Sequence, residues 1–173
     1  MPSPGEQILR GIPDTPVGIE HTIARMTAYV EQSRDLPEIR ALALSLVVDC
    51  EGLPARAACE ALSIYTWVRK HVRFEADPKG KERIQTPGRM IEQIRQNGVA
   101  QEDCDSISTF LLTLLQAAGH REAGYVFGGN SADGWQHVWI ADLLDGGYIH
   151  LDASEGLDAG LYYGFPQYLF LRV

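Results

Sequence analysis

"QEDCDSISTFLLTLLQAAGH", residues 101–120, is the stretch on which the fold turns. Ile107, Phe110, Leu111, Leu114, Leu115 and Ala118 recur at the i, i+3, i+4, i+7 spacing of a helix with one strongly apolar face, so this helix must be central. Asp103 is placed to cap its start and Gly119 its end, which makes Cys104 the first helical residue. A thiol there feels unpaired backbone N–H groups and the positive end of the helix dipole, both of which favour the thiolate. The flanking Asp103 and Asp105 oppose it. Cys104 is therefore either a small packing residue near a cap or a nucleophile that needs a partner, most simply a histidine that takes its proton.

Downstream, strand-like runs follow: "EAGYVFGG", "QHVWIADLLD" and "YIHLDAS", with strands expected over 122–127, 136–143 and 147–152 and a fourth in the terminal "YLFLRV". Asp145-Gly146 between alternating runs is a hairpin signal. A two-residue loop there pairs Leu144 with Gly147 and sets Trp139 opposite Asp152. His137, two residues before Trp139, then shares the face of Asp152 as its diagonal neighbour, roughly 7–8 Å away between backbones. A four-residue loop keeps the two on one face, whereas a three-residue loop separates them unless a bulge intervenes.

These pieces make a nucleophile on a helix start, a histidine on a strand and an aspartate on the adjoining strand that fixes the imidazole tautomer. Cys104, His137 and Asp152 in those roles are the arrangement of thiol acyl transfer. "EDCDSISTFLLTLLQAAGHREAGYVF", "QHVWIADL" and "GYIHLDAS" together resemble the transglutaminase-like family, relatives of the papain-fold cysteine proteases, over Ile64 to Ser154. By position, the resemblance implies Cys104 as nucleophile, His137 as base and Asp152 as orienting carboxylate. The sequence departs from the family pattern at Glu102, where many members carry glycine; a bulky acidic side chain there would crowd a substrate. The implied fold is α+β: a papain-like or transglutaminase-like core, with the catalytic helix on a small antiparallel sheet and an N-terminal helical layer. The expected organisation is residues 1–60 as that layer and 61–173 as the core, in one structural unit.

The upstream half reads as three helices. Thr15-Pro16 opens the first, with Ile19, Ile23, Met26 and Val30 on one face; Pro37 opens the second, which Gly52 and Pro54 terminate; Ala58, Ala61, Leu62, Tyr65, Val68 and Val72 form the stripe of the third. "FEADPKGKERIQTPGR" reads as a long loop and possible site rim, leading to a short helix around "RMIEQIRQ" that Asn97-Gly98 ends.

A net charge of -8, from 15 basic and 23 acidic residues, argues against nucleic acid or anionic membrane as partners. The expected partner is a peptide, protein or amide substrate, with no cofactor or metal. With no secretory signal or membrane span in view, the expected compartment is the cytoplasm. Cys50, Cys59 and Cys104 are an odd set without CxxC spacing, which reads as reduced thiols, with Cys50 and Cys59 as buried packing residues.

Other residues carry competing readings. His150 shares the face of Asp152, as a rival base or, with His137 and the carboxylate, a zinc ligand. His21, His71 and His120 read as surface groups, Asp142 and Asp145 as hairpin and turn residues. Trp135 and Trp139 read as core or groove wall. Gln96, Asn97 and Gln101 are candidates for a second oxyanion donor beside the Cys104 N–H. The triad alone does not separate peptidase, amidase, deamidase and transglutaminase. Hydrolysis is expected over cross-linking for a small bacterial or phage-encoded member. A catalytically impaired fold serving as a binding or assembly module, for example in a phage or prophage, is the alternative.

Overall fold

The computed structural model describes residues 6–10, 16–77, 81–131, 134–144, 146–154, 158–160 and 164–173. In chain order these form β1 (Glu6–Arg10), α1 (Pro16–Ser33), α2 (Pro37–Val47), a single 3-10 turn (Val48–Cys50), α3 (Arg56–His71), β2 (Val72–Phe74), β3 (Lys81–Gln85), α4 (Pro87–Asn97), β4 (Ala100–Glu102) and α5 (Cys104–Ala118). Four strands follow: β5 (Gly124–Ser131), β6 (Gly134–Leu144), β7 (Gly147–Leu151) and β8 (Gln167–Arg172). They make an antiparallel sheet in the order β7-β6-β5-β8. The fold is the expected α+β arrangement.

Helix α5 is buried from Ser106 to Ala117, and α1 to α4 all contact it. Such a helix must pair every polar side chain. Ser106 Oγ accepts the Gln85 N–H at 3.0 Å, Ser108 Oγ donates to the Val138 carbonyl at 3.0 Å, and Thr109 Oγ1 accepts from the Tyr125 hydroxyl at 3.2 Å. Gln116 accepts from Arg34 at 2.7 Å and donates to the Val173 carbonyl at 2.9 Å. The helix is thereby tied to β3, β5, β6, the residue that follows α1 and Val173.

One face of the sheet packs Tyr125, Phe127, Val138, Ile140 and Leu151 into the cluster that holds α5 together with Met26 and Val30 of α1 and Ile39 and Ala43 of α2. The opposite face carries Val126, Trp139 and Ala141 under Phe165.

Several expectations are corrected. The long loop contains β3, which pairs antiparallel with β1, and Pro87 begins α4 behind the Thr86 cap. Pro78 and Gly80 lie outside the described residues, as do Thr15 and Asp145. β2 and β4 form a parallel pair too short to announce itself. Leu62 is exposed, and the α3 stripe is completed by Ile64.

Cys50 and Cys59 are joined in a disulfide, with Cα atoms 5.7 Å apart, so they are not free thiols; Cys104 alone is free among the described residues. That bond removes the argument for a reducing compartment. No described helix is long and apolar enough to cross a membrane.

His120 and Asp142 are not surface and turn groups either. Both are buried, with His120 Nδ1 2.5 Å from Asp142 Oδ2 and His120 Nε2 3.4 Å from Glu60 Oε2. Asp142 lies on the Val138 and Ile140 face of β6, where alternation brings it under the helices.

Candidate active site

The cap geometry puts Cys104 where the sequence implied. Asp103 Oδ1 accepts the Ser106 N–H at 3.2 Å, and α5 opens on Cys104. The backbone N–H of Val138 lies near enough to the Cys104 sulfur to favour its thiolate, which places the thiol beside β6, one residue from His137. The sulfur also lies 3.6 Å from Asp105 Oδ1, to which its S–H donates.

Against the pull of the helix mouth, the thiol pKa is raised. Burial is the largest cause, the charges of Asp105 and Asp103 add to it, and the Val138 N–H only partly offsets them. The thiol pKa is held well above its ordinary value, so Cys104 rests as a neutral thiol while keeping partial surface access.

The hairpin has the register expected of a two-residue connection: Leu144 pairs with Gly147 and Ile140 with Leu151, so Trp139 faces Asp152 just beyond the end of β7. The diagonal gap closes through side chains, with His137 Nε2 2.6 Å from Asp152 Oδ2. Asp152 is 1% exposed. Burial alone would raise its pKa, but the bond and charge of His137 and two bonds from Ser154 outweigh burial and hold it below the ordinary carboxyl value. Its share of stability is complete above that value of about 3.9 and is lost as pH falls through the lowered folded value.

An ionised Asp152 can only accept, so His137 carries its proton on Nε2, and Nδ1 is the basic atom of the neutral ring. Asp152 Oδ1 accepts from the Ser154 N–H at 3.0 Å and its hydroxyl at 2.7 Å, while Tyr65 of α3 donates to the Asp152 carbonyl at 3.1 Å. Sequence reasoning missed both supports. The Asp-Ala-Ser order of an Asx turn was a usable signal for Ser154; nothing local signals Tyr65.

His150 does not compete for Asp152 Oδ2. Its Nδ1 instead accepts the indole N–H of Trp139 at 2.9 Å. Among the described residues, no group of three or more His, Cys, Asp or Glu is arranged to hold a metal ion. Trp139 is fully buried on the outer face, and Trp135 packs against the main core. Glu102 is buried and accepts from Gln93 Nε2 at 3.2 Å. It lines a polar cavity of about 450 Å³ together with Gln96, Asn97, Gln101 and Gln85, the last an amide that sequence reasoning did not consider.

Gly128 pairs with His137 across β5 and β6, and a Cβ there would lie 2.4 Å from the Phe165 ring and 2.9 Å from that of Trp139. Only glycine admits both rings. Gly128→Ala is expected to cost about 1–3 kcal/mol in urea unfolding and to change the near-ultraviolet circular dichroism of the displaced indole.

Residues 45–153 match the transglutaminase-like superfamily, and the chain belongs to that superfamily. The match opens within α2, ahead of residue 60. Among solved structures, a "putative protease" from Parabacteroides distasonis superposes with a TM-score of 0.57 at 16% identity, over 81% of this chain and 27% of that one. A "putative cysteine protease" from Cytophaga hutchinsonii gives a TM-score of 0.46 at 15% identity, over 68% of this chain and 37% of that one. This chain therefore spans between about a quarter and somewhat more than a third of the length of these neighbours. No curated protein matches it.

Proposed function

We propose that the protein catalyses thiol-dependent acyl transfer on an amide or peptide bond, with Cys104 as nucleophile, His137 as base and Asp152 as the group that orients it. Hydrolysis is favoured over cross-linking. The observation that carries this reading is the 2.6 Å His137–Asp152 bond on the strand whose Val138 N–H lies beside the Cys104 sulfur.

Because the resting thiol is neutral, its proton passes to His137 Nδ1 as the sulfur attacks the carbonyl carbon, rather than from a preformed ion pair. The Cys104 N–H faces the developing oxyanion. The imidazolium then protonates the leaving amine as the C–N bond breaks, leaving a thioester. Water, deprotonated by His137, cleaves the thioester and restores the thiol. A peptide, protein or small amide fits as substrate.

One observation favours a second reading, that of a catalytically impaired member acting as a binding or assembly module: burial and two aspartates keep the sulfur protonated. The disulfide favours an oxidising compartment, and the cytoplasmic placement expected from sequence is not carried into either reading.

Iodoacetamide alkylation of Cys104, followed by mass spectrometry across pH, separates the two. Under the enzymatic reading His137→Ala slows the reaction at neutral pH. Asp105→Asn, which removes one of the charges that oppose the thiolate, speeds it. A slow reaction indifferent to His137 sinks the enzymatic reading.

A further inference from the structure

Outside the three proposed catalytic residues, Trp139 lies between two imidazoles. Its ring stacks on His137, with centroids 5.7 Å apart and planes inclined by 24°, and its indole N–H donates to His150 Nδ1 at 2.9 Å. Phe165 stacks on the indole at 6.3 Å, and Tyr168 meets it edge-on at 5.9 Å. The indole is 1% exposed, so its position is set entirely by these neighbours. Aromatic packing holds the faces of the indole, and the hydrogen bond to His150 anchors its N–H edge.

We infer that His150 is a positioning residue for the candidate base: by accepting the Trp139 indole N–H it fixes the indole plate against which the His137 ring is held. The inference rests on His137 acting as the base. An indole nitrogen only donates, so His150 Nδ1 must be unprotonated and the neutral ring must carry its hydrogen on Nε2. Protonating Nδ1 abolishes the acceptor and strands the indole N–H in a dry site.

Burial lowers the His150 pKa and so favours the competent form. The sign follows: positioning is complete above the ordinary histidine value of about 6.5 and is lost as pH falls through the lower folded value. Described titratable or charged groups on the sheet face of His150 are His137 on β6, Tyr148 on β7, Asp152 just beyond its end, and Tyr168 and Arg172 across the sheet on β8, with Asp158 in the segment whose Gly160 N–H donates to the His150 carbonyl. Of these, Asp152 is bonded to His137, Arg172 to Glu122 and Asp158 to Arg69. His150 also forms part of the wall of an apolar pocket with Tyr148, Tyr168 and Phe170, which gives protons a route to it.

The test is nuclear magnetic resonance on the full chain, following the Trp139 indole N–H, assigned with Trp139→Phe, and the His137 ring resonances from neutral to acid pH. In the wild type the indole signal should shift as His150 titrates. His150→Asn, whose carbonyl stands in for Nδ1, should hold that signal constant. His150→Phe, which keeps the ring without an acceptor, should shift it and move the His137 resonances at every pH.

His137 resonances unchanged in His150→Phe overturn the inference, as does a wild-type indole signal that ignores His150 titration. If the coupling is present while Cys104 alkylation ignores His137, His150 still positions the ring and the catalytic reading is the one that fails.

Discussion

Asp152→Asn should lower amide hydrolysis by roughly 10³–10⁴-fold while leaving the fold intact, even though Cys-His-Asn sites work in related chemistry. The reason lies in the second oxygen. Asp152 Oδ1 receives two hydrogen bonds from Ser154, one from a backbone N–H that cannot turn away, and Oδ2 faces His137 Nε2.

An asparagine must point its carbonyl at one of these and its NH₂ at the other. The fixed Ser154 N–H takes the carbonyl, so the NH₂ faces His137 Nε2. That nitrogen must then accept, its proton moves to Nδ1, and the ring is no longer a base towards the sulfur. Turnover measured on a cleavable amide library, with circular dichroism as the fold control, checks this. Asp152→Asn within about threefold of wild type would mean that Ser154 does not dictate the orientation, or that His137 is not the base. If Asp152→Asn is slow as expected, adding Ser154→Pro, which removes both Ser154 donors, frees the amide to turn its carbonyl to His137 and should restore part of the rate.

How much of this was legible in sequence depended on whether the determining contact was periodic. Helix α5 was readable because its apolar residues and both caps follow one rule over 15 residues. The His137–Asp152 pair was readable because an Asp-Gly turn fixes register and register fixes faces.

What sequence could not supply were contacts made by single residues across long separations. Tyr65 reaches the Asp152 carbonyl from α3, and β2 finds β4 through three residues each. Cys104 shows the limit of a one-term argument. The helix mouth was correctly located, yet burial raises the thiol pKa against it, and no local pattern measures desolvation.

The cysteine count was misread in the opposite way. An odd number without CxxC spacing gives no support to a bridge, yet two of the three pair, the 3-10 turn to α3, and the remaining one is the residue at the helix start. His120 follows the α5 C-cap and reads as solvent-facing by position alone. The alternation that placed Val138 and Ile140 inward placed Asp142 inward too, and a buried carboxylate demands a partner.

That demand gives the second large effect, on stability. His120→Leu should destabilise the protein by about 3–5 kcal/mol in urea unfolding, because it leaves the Asp142 carboxylate, 1% exposed, without its 2.5 Å partner. Glu60 fares better: Arg56 remains at 2.6 Å, on the exposed side of the cluster. The cost therefore belongs to the stranded Asp142 and not to the lost contact as such.

A double-mutant cycle separates the two. Asp142→Leu alone should also destabilise, by leaving the buried His120 Nδ1 without its partner. The double variant His120→Leu, Asp142→Leu should recover most of the loss, since replacing both partners by apolar groups of similar size removes the unpaired polar atoms. Additive losses in the double variant would show instead that the cluster stabilises by holding the end of α5 and β6 to α3, with Glu60 carrying the interaction.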